Sequence, residues 1–214
     1  EAARDAAVKY NVDGAGGKSI LGWYHLQRRE YDLALNALRE AVQAQPTDAA
    51  SFTHLGQCLQ LLGRTDEALG AYEQAVRLNP NDGLAHYGLA FLALSRDDKE
   101  SFQRELAICE RLIPNEPWVQ EQVLVRTEET DPTGAVRRRE ALQAARPQDA
   151  RNLQRLAALY ETLGDRLKAD EAYTKLLELG PEDEKSIEAA AGHHRRAGRP
   201  EQALELVTNY AKTR

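Results

Sequence analysis

Methionine is absent from the 214-residue sequence, cysteine occurs only twice, and aromatic residues make up just 6%. Two cysteines, Cys58 and Cys109, are too few for a disulfide scaffold. Unpaired thiols favour a reducing compartment such as the cytoplasm, although a periplasmic chain could also carry them. No apolar run approaches the roughly 18 residues a spanning helix needs, so direct membrane insertion is not expected. Positive charge is also lacking, with 28 Lys and Arg against 34 Asp and Glu and a formal net charge of −6. Nucleic-acid binding needs a basic stripe that displaces counterions, and that partner class is therefore not expected. The chain opens at Glu1 without methionine and without a basic, apolar, cleavable leader. The expectation is a piece of a longer or processed protein. What remains is 42% hydrophobic and 29% charged, a composition for folded helices rather than disorder.

The prolines expose a period. Pro46, Pro80, Pro114, Pro147 and Pro181 lie 34, 34, 33 and 34 residues apart. Each closes a helix-forming stretch, as a residue without an N–H must. With proline at position 32 of a 34-residue unit, units begin at Ala15, Ala49, Gly83, Glu116 or Pro117, Ala150 and Glu184. Position 8 then holds Gly22, Gly56, Ala90, Ala157 and Ala191, and position 20 holds Ala34, Ala68, Phe102, Ala135, Ala169 and Ala203. Position 24 holds Leu38, Tyr72, Leu106, Tyr173 and Val207. Small residues at positions 8 and 20 let two helices approach closely, and Phe102 should force unit 3 to splay or repack. Phe52, Leu55, Leu59 and Leu62 recur at helical spacing, Gly63-Arg64-Thr65 interrupts them, and Asp66 stands where a cap would serve the next helix.

The run Phe52-x-x-Leu55-Gly56-x-x-Leu59 … Ala68-x-x-x-Tyr72-x-x-Ala75 … Pro80 resembles the tetratricopeptide repeat (TPR) family, and the likeness extends over nearly the whole chain. The resemblance implies an all-α, right-handed α-solenoid of helix-turn-helix repeats. The expected division is a leading half-repeat at 1–14, then units at 15–48, 49–82, 83–116, 117–149, 150–183 and 184–214 in one continuous solenoid. Residues 7–12 mirror residues 75–80, which makes the start a second helix of an earlier repeat. At the other end Leu204, Val207 and Tyr210 lie on a last helix that no polar cap follows. A homo-oligomer through these terminal helices is one expectation. Unit 4 is the irregular one: Trp118, Val119, Val123 and Val125 fit the anchors poorly, and Arg137, Arg138 and Arg139 occupy its second helix. That arginine run, with Arg195, Arg196 and Arg199, is expected on a solvated face, and a local distortion is expected here.

No constellation points to catalysis, and no cofactor is expected. Val12 to Ser19 ends like a phosphate-binding loop, but Val12 replaces the first glycine and no strand precedes it, so an inter-repeat loop is the preferred reading. His193 and His194 project about 100° apart on a helix and should not share a ligand position, so no metal is expected. Cys109, at a small-residue position, should be a buried inert thiol.

In the family, the first helix of each unit lines a concave groove that holds a peptide or partner helix, through positions 2, 5, 9 and 12. By that resemblance, unit 1 supplies Gly16, Ser19, Trp23 and Leu26, and unit 2 supplies Ala50, Thr53, Gln57 and Gln60. Unit 3 supplies Leu84, Tyr87, Phe91 and Leu94, while units 5 and 6 supply mainly charged residues. The expected partner-binding set is Trp23, Leu26, Gln57, Leu84, Tyr87, Phe91 and Leu94. The lysine–asparagine clamp of chaperone-tail binders is absent, with Ser19, Trp23, His54, Leu84 and Gly88 in its places. So is an asparagine ladder at position 6. The resulting expectation is a non-enzymatic scaffold for a protein or peptide, with a docking arm of a larger enzyme as the alternative.

Overall fold

The computed structural model describes residues 14–212. These form twelve α-helices and no strand: α1 Ala15–Gln27, α2 Tyr31–Ala44, α3 Ala49–Leu61, α4 Thr65–Leu78, α5 Gly83–Ser95, α6 Lys99–Leu112, α7 Pro117–Thr130, α8 Pro132–Ala145, α9 Ala150–Thr162, α10 Arg166–Leu179, α11 Glu184–Arg196 and α12 Pro200–Lys212. The half-repeat expected at the start falls on residues 1–13, outside the described part. The chain divides into two compact units, Glu1–Gln122 and Val123–Arg214, with the boundary inside α7.

Helices pair as α1 with α2, α3 with α4 and α5 with α6, and each pair stacks on the next. Close approach depends on the small residues. A Cβ at Gly22 would stand 2.4 Å from Leu38 Cγ, and one at Gly56 2.7 Å from Tyr72 Cδ1. Tyr72 fills a slot between two backbones, because a Cβ at Gly88 on α5 would reach its Cζ at 2.3 Å. Its hydroxyl donates to Gln60 Oε1 at 2.9 Å, so the buried ring keeps its polar end satisfied. Around it Leu26, Leu35, Leu38, Leu55, Leu59 and Leu89 form the core of the first unit. In the second unit Leu153, Leu156, Tyr160, Tyr173 and Leu176 do the same. Each such side chain contributes about 1.5–3 kcal/mol by leaving water.

The turns repeat as well. Position 15 of five units is left-handed: Arg29 (φ 60), Gly63 (φ 73), Asp97 (φ 55), Gly164 (φ 76) and Gly198 (φ 75). It closes the first helix of each such pair, the next residue's N–H bonding to the carbonyl five residues back, as in Arg64 N–H to Leu59 O at 2.9 Å. Between repeats an aspartate two residues after the proline caps the next helix. Asp82 accepts from the Leu84 and Ala85 N–H groups, Asp149 from Asn152 and Asp183 from Ser186. Asp66 is not such a cap. It lies inside the first turn of α4, behind Arg64 at the N-cap, and its exposed carboxylate accepts from Arg96 at 2.7 Å. Asp131 caps α8 with Pro132 following it, which makes the α7–α8 turn a single residue.

Unit 4 solves its missing apolar anchor by a different route. Arg139, at the position of Leu38 and Tyr72, is fully buried rather than solvated. Its Nε donates to Glu128 Oε1, its Nη1 to Asn152 Oδ1 at 3.0 Å, and Asn152 donates back to the Arg139 carbonyl and to Gln143. A charge can enter the core here because its partners enter with it. Arg137 and Arg138 stay exposed, as expected of them.

Candidate functional site

Helices α1, α3 and α5 contact one another in order and present one face of the first unit. On that face Trp23 is 41% exposed, Leu84 59%, Phe91 38% and Leu94 45%, and Gln57 is exposed between them. Their spacing explains this: the same helices turn Leu55, Leu59, Leu89 and Leu92 inward, leaving positions 2, 9 and 12 of α5 toward solvent. Ile20, also 41% exposed, adds to the apolar area beside Trp23.

Three expected members of the face lie elsewhere. Leu26 is buried in the core beside Leu35 and Leu38, so it does not reach the surface. Ser19 and Thr53 are buried too: the Ser19 and Ser51 hydroxyls share a hydrogen bond of 2.8 Å, and Thr53 Oγ1 donates to Asp82 Oδ2 at 2.6 Å. A small hydroxyl at position 5 faces the neighbouring first helix instead of the groove.

Tyr87 is half-buried, and the residue that partly covers it is Trp118 of α7. Their rings meet edge-on with centroids 4.9 Å apart, and Trp118 also lies 6.1 Å from Phe91 and 6.3 Å from Phe102. The four rings form one aromatic cluster, in a geometry that favours such pairs. Burial raises the Tyr87 hydroxyl pKa, aided by the nearby Glu116 carboxylate, so it remains a neutral donor. Phe102 is accommodated by this cluster. Trp118 was legible only as a misfit to the repeat, since its packing depends on the turn between α6 and α7.

The first helices of the second unit carry charge. Arg151, Lys185, Glu188 and Arg195 are exposed. Glu161 is engaged with Tyr173, His193 and Arg196. His193 and His194 meet Asp170 of α10, all three offering ligand atoms within 4.8 Å of one another. The helical angle between adjacent residues is large, but long rings and a third residue from another helix close the gap. Burial, with Arg199 and His193 nearby, lowers the His194 pKa. Cys58 and Cys109 are free and buried, and burial pushes their thiols up to about 11 and about 12, which keeps them protonated and unreactive at neutral pH.

Profiles described as tetratricopeptide repeat match residues 1–49, 19–82 and 59–117, and another of the same description matches 150–183. With those matches over most of its length, the chain belongs to the tetratricopeptide-repeat family and folds as an all-α repeat solenoid. It is 27% identical over 93 residues to Superkiller protein 3 of Saccharomyces cerevisiae, covering 44% of this chain and 6% of that protein. It is 29% identical over 75 residues to the peroxisomal targeting signal receptor of Eremothecium gossypii, covering 35% of this chain and 13% of that one. The chain thus spans only a small part of these two curated relatives. Among solved structures it is similar to YrrB, a TPR protein with an unusual peptide-binding site, at a TM-score of 0.69 and 18% identity over 88% of this chain and 97% of that one. Proteins of this fold are typically scaffolds for protein–protein interaction rather than catalysts. No helix among the described residues is long and apolar enough to cross a membrane.

Proposed function

We propose that this scaffold holds an extended or helical segment of a partner protein against the α1–α3–α5 face, in the groove lined by Trp23, Gln57, Leu84, Tyr87, Phe91 and Leu94. The observation that carries this reading is the exposure of Trp23, Leu84, Phe91 and Leu94 on one helical layer, none of them needed to fill the core. Large apolar side chains gathered on a preformed surface are what binding hot spots are made of. The bound segment presents apolar side chains, with Gln57 free to bond its backbone. The peptide-binding site named for YrrB accords with this use of the fold.

A peptide-display selection against the chain tests the proposal. Peptides enriched in apolar residues should emerge, and their affinity should fall about tenfold or more in Trp23→Ala and Phe91→Ala, the cost of a hot-spot truncation above ~1.4 kcal/mol. The thermal midpoint of Trp23→Ala should change little, and that of Phe91→Ala should fall by only a few degrees, because its ring also packs on Trp118. Binding that survives both substitutions, or a collapse of the midpoint in both, overturns the reading.

A further inference from the structure

Polar side chains of α9, α10 and α11 converge beside the start of α12. His193, 2% exposed, places Nδ1 2.5 Å from Glu161 Oε1 and Nε2 2.6 Å from Asp170 Oδ1. Arg199 donates to both oxygens of Asp170, and its Nη2 lies 3.1 Å from His193 Nε2. Arg196 donates to the other oxygen of Glu161 at 2.8 Å. The ring of His194 lies 5.6 Å from that of His193, and its buried Nδ1 has no hydrogen-bond partner. Beside it opens a cavity of about 480 Å³, lined by Asp170, His194, Arg199, Gln202 and Glu205 among others.

An ion-pair network explains Glu161, His193, Asp170 and Arg199, but it leaves the His194 nitrogen orphaned. Buried polar atoms are rarely left so, and each exception calls for a cause. We propose that Asp170, His193 and His194 form a binding site for a divalent transition-metal ion of the zinc class, with its remaining coordination position open to the cavity.

The donor set fits that class. Two imidazoles and one carboxylate suit zinc, cobalt, nickel or copper, whereas magnesium and calcium take oxygen ligands. Glu161 stands behind His193 as outer carboxylates stand behind metal-binding imidazoles, accepting one ring N–H and leaving the other nitrogen to the ion. Arg199 supplies the positive charge beside Asp170 when the site is empty. Loading the site exchanges that guanidinium for the ion, and the long arginine side chain has the adjoining cavity to move into.

The test is zinc binding to the whole 214-residue chain, prepared without a histidine tag and stripped with chelator. Calorimetry with zinc chloride should show one ion per chain, and cobalt chloride should give the visible absorption of a nitrogen-and-oxygen-ligated ion. His194→Ala and Asp170→Asn, each checked for unchanged helicity, should weaken zinc binding by about tenfold or more. Arg199→Gln should bind zinc as tightly as the parent or more so, because a competing cation is gone. Absence of stoichiometric zinc binding, or binding equally tight in His194→Ala and Asp170→Asn, overturns the proposal.

Discussion

Removing the Glu128 carboxylate should destabilise the second compact unit more than any single substitution on its surface. The Arg139 side chain is 1% exposed and that of Glu128 16%, so the pair sits almost wholly out of water. Two unit charges at about 3 Å attract by roughly 5 kcal/mol at an effective dielectric constant near 20, before desolvation is counted. Deleting one member of a buried pair typically costs ~3–5 kcal/mol, because the remaining charge loses much of what offset its desolvation. Asn152 continues to accept from the guanidinium, which places the Glu128→Ala cost near the lower end, about 3 kcal/mol. For a chain of this size that corresponds to a thermal midpoint lower by roughly 6–12 °C. Arg155 also reaches Glu128, at 3.0 Å, but its side chain is 40% exposed and adds well under ~1 kcal/mol. The double variant Glu128→Met with Arg139→Met should return to within about 1 kcal/mol of the parent, since two long apolar side chains fill the same volume without a desolvated charge. Urea denaturation followed by helical circular dichroism measures the cycle. A Glu128→Ala cost below about 1 kcal/mol, or single costs that simply add in the double variant, would refute the account.

Two glycines should respond oppositely to the same substitution. Gly88→Ala drives a methyl group into the Tyr72 ring, which Gly56 hems in from the other side, and should lower the thermal midpoint by several degrees through overpacking. Gly70→Ala, exposed on α4 with nothing within 4 Å of its added carbon, should raise stability by up to ~1 kcal/mol, and equal shifts in the two variants would contradict the slot. At the left-handed position 15, Arg29→Gly and Asp97→Gly should each stabilise by about 0.5–1 kcal/mol, while Gly63→Ala should do the reverse, all read from urea midpoints.

The proline period marked the gaps between repeats, since Pro46, Pro80, Pro114, Pro147 and Pro181 each stand between two helices that they cannot join, whereas Pro117, Pro132 and Pro200 open helices, where no N–H bond is lost. The inter-repeat caps are legible in Pro80-Asn81-Asp82, Pro147-Gln148-Asp149 and Pro181-Glu182-Asp183, where an aspartate follows each proline by two residues. Asp66 misled because a capping residue and a first-turn acid occupy adjacent positions, and only the backbone angle at Arg64 separates them. Exposure of Trp23, Leu84, Phe91 and Leu94 was implied by the family resemblance, through positions 2, 9 and 12 of the first helix. The burial of Leu26 and Thr53 was not, since it depends on how closely neighbouring pairs stack. Arg139 was unreadable for a related reason. A buried arginine looks like a surface one until Glu128 and Asn152, 11 and 13 residues away along the chain, are seen to close around it. The meeting of Asp170 with His193 and His194 likewise joins two repeats that no local pattern connects.

The hydroxyl at position 5 carries a further consequence. Thr53 on α3 holds the same aspartate that caps α5, and the Ser19 hydroxyl on α1 pairs with that of Ser51, which donates to Asp48 at the head of α3. Helices α1 and α3 therefore each keep hold of the leading end of the first helix that follows. When a repeat frays, its successor loses an anchor at the place where helix initiation is most costly. Opening of the first repeat should then loosen the second and the third in turn, which gives these three similar parts a built-in order of coming apart.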